Sequence, residues 1–226
     1  MNKQVLENPA KNQENQFNYL VIIAALMVTS YLTSNVMAVK LIDIFGVTLF
    51  DAGTIVFPLA YMLGDILAEI WGFKVAKKVI YLTFLCNVIM TMFTWIGVFF
   101  PAPDYMGEIE NAYATIFNCT PRILFSSLVG FFCGELVNAK TMVCIKKSTK
   151  GKWLFVRTIL SSAAGYIFDT GLFVILAFGG TVPVKELIFM IAIQYVVKLM
   201  IEAIFATPLD YLVVGFLKKR VGVYHE

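Results

Sequence analysis

Histidine is nearly absent from this chain. Of its 226 residues only one is histidine, His225, which is next to last. Zinc sites and histidine proton relays both need imidazole side chains inside the fold. The four cysteines include no pair at metal-ligand spacing, and we interpret them as small apolar residues in helices: Cys86, Cys119, Cys133 and Cys144. The sequence therefore predicts neither a metal site nor a cofactor.

Charged residues are also scarce. They make up 15% of the chain, against about a quarter of an ordinary soluble domain, and 59% of the residues are hydrophobic. The hydrophobic residues are spread along the whole chain, which predicts a polytopic membrane protein with one integral domain in contact with lipid. The net charge of +3 comes from basic residues in particular loops. It does not indicate a nucleic-acid partner.

Familiar enzyme motifs are missing too. There is no Gly-x-Ser-x-Gly sequence and no glycine-rich phosphate loop. Asp65 and Asp169 are available for an aspartyl pair, but neither has the context of a known protease. Selective ion channels are usually rings of identical subunits, so a channel is also disfavoured. A solute transporter is favoured over an enzyme.

Six apolar runs are long enough to cross a bilayer, which takes about 20 helical residues. They lie at about 19–41, 53–71, 79–100, 121–145, 154–178 and 187–216. We therefore predict an all-α integral membrane fold, a six-transmembrane-helix bundle. Residues 1–17 are predicted to be a flexible cytoplasmic tail, 18–217 the membrane transporter domain, and 218–226 a basic cytoplasmic tail.

Two connections between the spans carry further predictions. Residues 43–51 are expected to form a short turn. The longest loop, 104–120, has Tyr105, Ile109 and Tyr113 at four-residue spacing, which predicts a short amphipathic helix at the membrane interface.

Basic residues predict the orientation of the bundle. They concentrate on the side that the two termini share, at 3 and 11 and within 74–78, 146–152 and 218–220. Lys40, Arg122 and Lys185 lie at helix ends on the other side. The positive-inside rule makes the basic side cytoplasmic, so both termini are predicted to be cytoplasmic.

The stretch 57–78, FPLAYMLGDILAEIWGFKVAKK, carries acids inside an apolar run. Phe57, Tyr61, Asp65 and Glu69 recur every four residues and form one stripe on a helix. An isolated carboxylate near the bilayer centre costs about 2.5–3.5 kcal/mol on insertion scales. The stripe is therefore expected to face other helices, water or a ligand.

Other spans also carry ionisable residues. The acids are Asp65, Glu69, Glu135, Asp169 and Glu202, and the bases well inside a span are Arg157 and Lys198. Structural pairing accounts for some of them, such as Lys198 with Glu202 one turn away. Polar contacts between membrane helices are worth only about 0.6 kcal/mol on average, however. The excess of acids predicts a central polar cavity for a cationic or donor-rich solute.

A carboxylate can accept hydrogen bonds from two adjacent N–H groups, and the edge of guanine presents such a pair. Aromatic residues close in sequence to the acids are available to stack on a flat ring: Phe57, Tyr61, Trp71, Tyr166 and Phe168. The residues alone therefore predict a small, planar, nucleobase-like solute.

At 57–78 the sequence resembles the queuosine precursor transporter family, formerly grouped as vitamin uptake transporters. The matching positions are Phe57, Pro58, Tyr61, Asp65, Glu69, Trp71, Gly72, Phe73, Lys77 and Lys78. Trp71 departs from the tyrosine common in the family. The stretches 157–170 and 198–208, and Asn35 with Lys40, resemble the family as well.

The resemblance implies import of 7-deazaguanine compounds across a bacterial cytoplasmic (inner) membrane, for salvage into the tRNA base queuosine. The candidates are cyano-deazaguanine, aminomethyl-deazaguanine and queuine. A fold-level analogy leaves an alternative, a substrate-binding subunit of an energy-coupling-factor-type transporter that needs a separate ATPase module. The first span lacks a clean Ala-x-x-x-Ala docking motif, which disfavours this alternative. A homodimer stays open.

Roles for the individual residues follow as expectations. Glu135 or Asp169 would accept the guanine-type N–H pair. The amides expected to bind the carbonyl and ring nitrogen are Asn35, Asn87, Asn138 and Gln194, and the rings expected at the substrate are Tyr61 and Phe168.

A charge network or gate is expected from Asp65, Glu69, Arg157, Lys198 and Glu202. Within it, Arg157 and Lys198 would hold the carboxylates ionised until substrate arrives. If transport is proton-coupled, Glu69 or Glu202 would carry the proton, because no histidine is available.

Overall fold

The computed structural model describes residues 9–44, 47–117, 121–181 and 183–221. Its elements are α1 (Pro9–Met37), β1 (Leu41–Ile44), β2 (Val47–Asp51), α2 (Gly53–Trp71), α3 (Phe73–Phe99), α4 (Gly107–Phe117), α5 (Pro121–Ser148), α6 (Leu154–Phe178), α7 (Val184–Ile201) and α8 (Thr207–Arg220). A 3₁₀ turn, Asp104–Met106, precedes α4, and a π-helical segment, Glu202–Ala206, joins α7 to α8.

Six membrane-spanning segments are present within these ranges, which confirms the predicted fold class. They are Glu14–Met37, Gly53–Trp71, Phe73–Phe99, Phe125–Ser148, Leu154–Phe178 and Val184–Arg220. The last unites α7, the π-helical segment and α8 in 37 residues. At 1.5 Å per residue it is about 55 Å long, so part of it extends beyond a hydrocarbon core of about 30 Å.

Helix α2 is the centre of the bundle. All of its residues except Ile55, Val56 and Leu59 are buried. It packs against α1, α3, α5, α6, α7 and α8. Helix α3, in contrast, leaves large apolar side chains such as Leu85 and Phe93 exposed, as expected of a helix that faces lipid.

Helices α5 and α6 lie very close together because glycines face each other across the contact. A Cβ atom built on Gly134 would lie 2.9 Å from the carbonyl oxygen of Gly165. One built on Gly165 would lie 2.9 Å from the carbonyl oxygen of Gly134. Small residues are the usual means by which membrane helices bring their backbones into contact. This contact makes α5 and α6 one closely packed pair.

The connection between the first two spans differs from the prediction. The short turn expected at 43–51 is wrong, because β1 and β2 form an antiparallel hairpin, with residues 45 and 46 outside the described ranges. Asp51 at the end of β2 accepts hydrogen bonds from the backbone amide and the hydroxyl of Thr54, each at 3.1 Å. The hairpin thereby caps the start of α2.

The short helix predicted within the loop 104–120 is confirmed. Helix α4 lies at 107–117, and the Tyr113 hydroxyl donates to the backbone oxygen of Thr94 on α3 at 3.1 Å. Tyr105 and Ile109 are exposed. Its location at a membrane interface stays a prediction.

The two ends of the described chain meet. Helix α1 begins at Pro9, inside the stretch predicted to be a flexible tail, and Gln16 donates to the backbone oxygen of Val221 at 3.0 Å. The start of α1 therefore lies beside the end of α8. We call this the basic end, because Lys146, Arg157 and Lys218 also gather there around Glu69.

Two substitutions on the same helix test the glycine contact. Gly165→Ala places a methyl group against Gly134 and against Tyr61, so we expect a lower melting temperature in detergent. Gly171→Ala is the matched control, since nothing lies within 4 Å of its built Cβ. Alanine is favoured over glycine in helices by about 1 kcal/mol, so this variant should melt at or above the wild-type temperature. Equal melting temperatures for the two variants would show that α5 and α6 do not depend on this contact.

Candidate functional site

The acidic stripe of α2 points into the protein. The side chains of Phe57, Tyr61, Asp65 and Glu69 are all buried, as the four-residue spacing predicted. Helices α5, α6 and α8 pack on α2 and reach its two acids. Each of these three neighbours brings at least one polar side chain to the stripe.

Glu69 accepts from three cations at the basic end. Arg157 Nη1 lies 2.5 Å from Glu69 Oε2, and Lys218 Nζ lies 2.6 Å from Oε1. Lys146 Nζ lies 3.6 Å from Oε2 and donates to the Glu69 backbone oxygen at 2.5 Å. We call these four residues the Glu69 cluster. One buried carboxylate thereby ties together four helices, α2, α5, α6 and α8.

One turn away along α2, two carboxylates share an amide instead of cations. Asn138 Nδ2 donates to Asp65 Oδ1 at 2.9 Å and to Glu135 Oε2 at 3.3 Å. The Ser161 hydroxyl lies 3.4 Å from Asp65 Oδ1. None of the ion pairs between described residues involves Asp65 or Glu135. We call Asp65, Glu135 and Asn138 the acidic cluster.

The acidic cluster contains buried oxygen atoms without hydrogen-bond partners among the described residues. Asp65 Oδ2, Glu135 Oε1 and Asn138 Oδ1 are buried and have no hydrogen-bond partner within the described part of the chain. The Tyr61 hydroxyl is likewise buried and has no hydrogen-bond partner among the described residues. A buried polar atom without a partner costs about 1–3 kcal/mol, and native folds leave few of them. These atoms are thus available to a ligand that brings N–H or O–H donors.

Glycines make room for the free groups. A Cβ on Gly64 would lie 2.9 Å from the carboxyl carbon of Glu135, so this acid can rest against the backbone of α2 only because Gly64 has no side chain. Likewise, the Tyr61 hydroxyl can lie against the backbone of α5 only because Gly134 has no side chain. The two glycines therefore place a carboxylate and a phenol side by side between α2 and α5.

An aromatic cluster adjoins the free oxygens through Tyr61. The rings of Tyr61 and Tyr166 have centroids 4.4 Å apart and are tilted by 37°. Phe57 follows at 5.5 Å from Tyr61, and Tyr31 stacks on Phe131 at 3.6 Å. These rings already pack on one another, and aromatic side chains of this kind can also stack on a flat heterocycle.

Lys198 pairs with Asp169. The distance from its Nζ to Asp169 Oδ2 is 2.5 Å, and the same nitrogen lies 4.2 Å from the centroid of Phe57. The predicted pairing of Lys198 with Glu202 is wrong. Glu202 begins the π-helical segment and instead accepts from the Tyr166 hydroxyl at 2.9 Å. Asp169, on the facing helix α6, supplies the counter-charge.

Two amides at the far side of the aromatic cluster have spare donors. Asn35 Oδ1 accepts from Ser127 at 3.0 Å, and Asn87 Oδ1 accepts from Thr91 at 3.4 Å. Neither Nδ2 has a partner among the described residues. The hydroxyl of Tyr31 faces both side chains. Gln194 is buried as well, one turn before Lys198.

Phe168 does not join this assembly, so its predicted role at the substrate is wrong in position. Its side chain is 48% exposed, beside the exposed Ile167, on the outer face of α6. The 3.6-residue period turns Tyr166 and Asp169 inward and therefore turns Phe168 outward. Tyr166, the other aromatic residue of α6 expected to be available for stacking, is fully buried.

The site contains three residues for which the sequence predicts no role there. Lys146 and Lys218 lie in the basic regions that predict the orientation, and each also reaches Glu69. The third is Asp210. It lies in the last span two residues after Pro208, is 1% exposed, and has no hydrogen-bond partner for either oxygen among the described residues. The sequence feature that points to Asp210 is its position as an aspartate inside an apolar run.

Comparisons with known proteins agree on one kind of protein. A family model described as "Putative vitamin uptake transporter" matches residues 51–213, which hold the Asp65, Glu69, Glu135 and Arg157 positions. The "Probable queuosine precursor transporter" of Bacillus subtilis (strain 168) is 26% identical over 172 residues, covering 76% of this chain and 74% of that protein. No solved structure matches the chain.

Removal of the central charge tests the Glu69 cluster. Glu69→Gln leaves Arg157 and two lysines without their counter-ion, so we expect a loss of about 3–5 kcal/mol in the free energy of unfolding in detergent. Lys218→Gln alone should cost less than about 1 kcal/mol, because this side chain is 34% exposed.

The double variant and a surface control complete the test. Glu69→Gln with Lys218→Gln should be more stable than Glu69→Gln alone, since one unpaired cation is gone. Glu186→Gln, in the exposed first turn of α7, should unfold as the wild type does. If Glu69→Gln also unfolds like the wild type, the cluster does not hold the helices together.

Proposed function

The chain belongs to the family described as "Putative vitamin uptake transporter", and from this premise we propose that it imports 7-deazaguanine precursors of queuosine. The protein is a multi-pass membrane transporter. The solute and the bacterial cytoplasmic (inner) membrane as its location are the proposal. The name of the Bacillus subtilis relative supports the solute.

The free buried polar atoms carry the proposal. The guanine edge of a 7-deazaguanine presents a ring N–H beside an exocyclic amine, and a carbonyl next to them. Asp65 Oδ2 and Glu135 Oε1 are free acceptors for the two donors. The Nδ2 atoms of Asn35 and Asn87, at the far side of the aromatic cluster, are free donors for an acceptor at the opposite end of the solute.

The structure favours Glu135 over Asp169 as the partner of the solute. Asp169 already holds Lys198 at 2.5 Å. Glu135 is met by one amide at 3.3 Å and keeps an oxygen free. Tyr61, in contact with the same stretch of α5, and Tyr166 then supply rings on which the heterocycle stacks.

The Glu69 cluster serves as the inner closure in this proposal. By the positive-inside rule the basic end faces the cytoplasm. The cluster lies one turn beyond Asp65 along α2 and joins four helices there. Release of solute to the cytoplasm requires these helices to separate, and the ion pairs re-form when the site opens outward again.

Uptake in cells tests the function. The strain would lack its own importer and would be unable to make 7-deazaguanines, so queuosine in its tRNA must come from the medium. Expression of this chain should restore queuosine, seen as slower migration of tRNA in a boronate gel because queuosine carries a cis-diol. Correctly inserted protein that restores nothing, and binds no 7-deazaguanine when purified, would contradict the proposal.

Purified protein separates the transporter from a subunit that needs an ATPase. Liposomes that contain only this chain should exchange labelled 7-cyano-7-deazaguanine for unlabelled solute. Movement that appears only when an ATPase module is added would favour the energy-coupling-factor alternative.

A paired change of solute and protein tests Glu135. An analogue without the 2-amino group leaves the carboxylate unpaired, so wild-type protein should bind it at least about tenfold more weakly, which corresponds to about 1.4 kcal/mol. Glu135→Gln offers a neutral acceptor and should narrow this ratio. The exposed control Glu186→Gln should keep it. An unchanged ratio in Glu135→Gln would remove Glu135 from the binding site.

A further inference from the structure

Asp210 is a buried acid that has no role in the proposed substrate-binding site. It lies on α8 within the last membrane span and is 1% exposed. Neither of its oxygens has a hydrogen-bond partner within the described residues. An ionised carboxylate in this position would lack both donors and a counter-ion, at a cost of several kcal/mol. A protonated carboxyl is neutral and avoids most of that cost.

The charged groups around Asp210 come from four elements, α2, α6, the π-helical segment and α8. They are Glu202 from the π-helical segment, Asp65 and Glu69 from α2, Arg157 from α6 and Lys218 from α8 itself. Both cations are already bound to Glu69, at 2.5 and 2.6 Å. Asp210 is therefore surrounded by acids and by cations that another acid holds.

These acids follow one another from the aromatic cluster to the basic end. Glu202 accepts from Tyr166, whose ring lies on Tyr61 of the substrate site. Eight residues further along lies Asp210, and another eight lead to Lys218 at the Glu69 cluster, about 12 Å along a helix. The series starts at a π-helical segment, a feature that is often found at functional sites.

We infer that this transporter is driven by inward proton movement, with Asp210 as the proton carrier between Glu202 and the cytoplasmic side. This inference rests on the proposed function. One proton from the outer solution reaches the Asp210 carboxylate by way of Glu202 and forms an O–H bond there. When the basic end opens, water takes the proton into the cytoplasm and the O–H bond breaks.

The Glu69 cluster connects the proton to the opening. The deprotonated Asp210 carboxylate can pair with Arg157 or Lys218 while Glu69 has released them. The cation then returns to Glu69 and the basic end closes, and only after this closure is the Asp210 carboxylate protonated again from outside. Glu69 itself, held by three cations, is a poor proton carrier, contrary to the expectation from sequence.

The test uses the purified full chain in liposomes with the membrane potential clamped by potassium and valinomycin. The neutral solute 7-cyano-7-deazaguanine is chosen so that its own charge does not change with pH. With the outside one pH unit more acidic, coupling to one proton allows at most about tenfold accumulation. We expect the wild type to accumulate solute under this gradient and to acidify the lumen, read by trapped pyranine. A sodium gradient alone should cause no accumulation.

Variants of Asp210 test whether this residue carries the proton. Asp210→Asn should lose accumulation and lumen acidification while labelled solute still exchanges, a separation that a purely structural role would not produce. Asp210→Glu, which can bind a proton, should recover part of the accumulation. Asp104→Asn, an exposed acid outside the spans, should behave as the wild type.

The outcomes separate the two proposals. A wild type that neither exchanges nor binds solute contradicts the proposed function. Exchange without any response to the pH gradient, or a response to sodium instead, overturns proton coupling alone. Accumulation by Asp210→Asn at the wild-type level overturns the assignment to Asp210. If Asp210→Asn does not fold, proton coupling is decided by lumen acidification in the wild type and the carrier by Asp210→Glu.

Discussion

The cost of an uncompensated carboxylate inside a bilayer governs this structure. Each acid within the spans must find a cation, a hydrogen-bond donor or a proton, and the acids differ in which they find. Glu69 is paired with three cations and Asp169 with one. Asp65 and Glu135 share one amide, and Asp210 has no partner in the described part of the chain. The fully paired acids fasten helices to one another, whereas those with free oxygens are the ones on which solute and proton can act.

The sequence was sufficient for properties that depend on one segment at a time. Runs of about 20 apolar residues located the six spans, and the four-residue spacing of Phe57, Tyr61, Asp65 and Glu69 showed that α2 turns one polar stripe inward. The same reasoning placed Asp65, Glu135, Asn138, Arg157 and Lys198 inside the bundle. Hydropathy and helical period are local quantities, so a single chain displays them directly.

Side-chain contacts between different helices could not be predicted from hydropathy and helical period. The one-turn spacing predicts a pair of Lys198 with Glu202, but the partner of Lys198 is Asp169 on another helix, and spacing along one helix does not reveal contacts between helices. Phe168 was expected at the substrate because it adjoins Asp169 in the sequence, but neighbouring residues point in directions about 100° apart on a helix, which turns Phe168 outward. Lys146 and Lys218 satisfied the positive-inside rule so well that a second role at Glu69 had no separate signal. The hairpin at 41–51 escaped notice because a few residues between two long helices carry little periodic pattern.

The wide sequence separation in the Glu69 cluster has a consequence for biosynthesis. The cations that neutralise Glu69 follow it by 77, 88 and 149 residues. Helix α2 therefore leaves the ribosome well before its counter-ions have been made. Until α5 and the start of α6 emerge, the nascent chain must keep this acid in water or against the insertion machinery. Synthesis of Lys146 and Arg157 is thus the event that lets the central helix settle at its final depth, and a nascent chain truncated before them would present an acidic segment to membrane quality control.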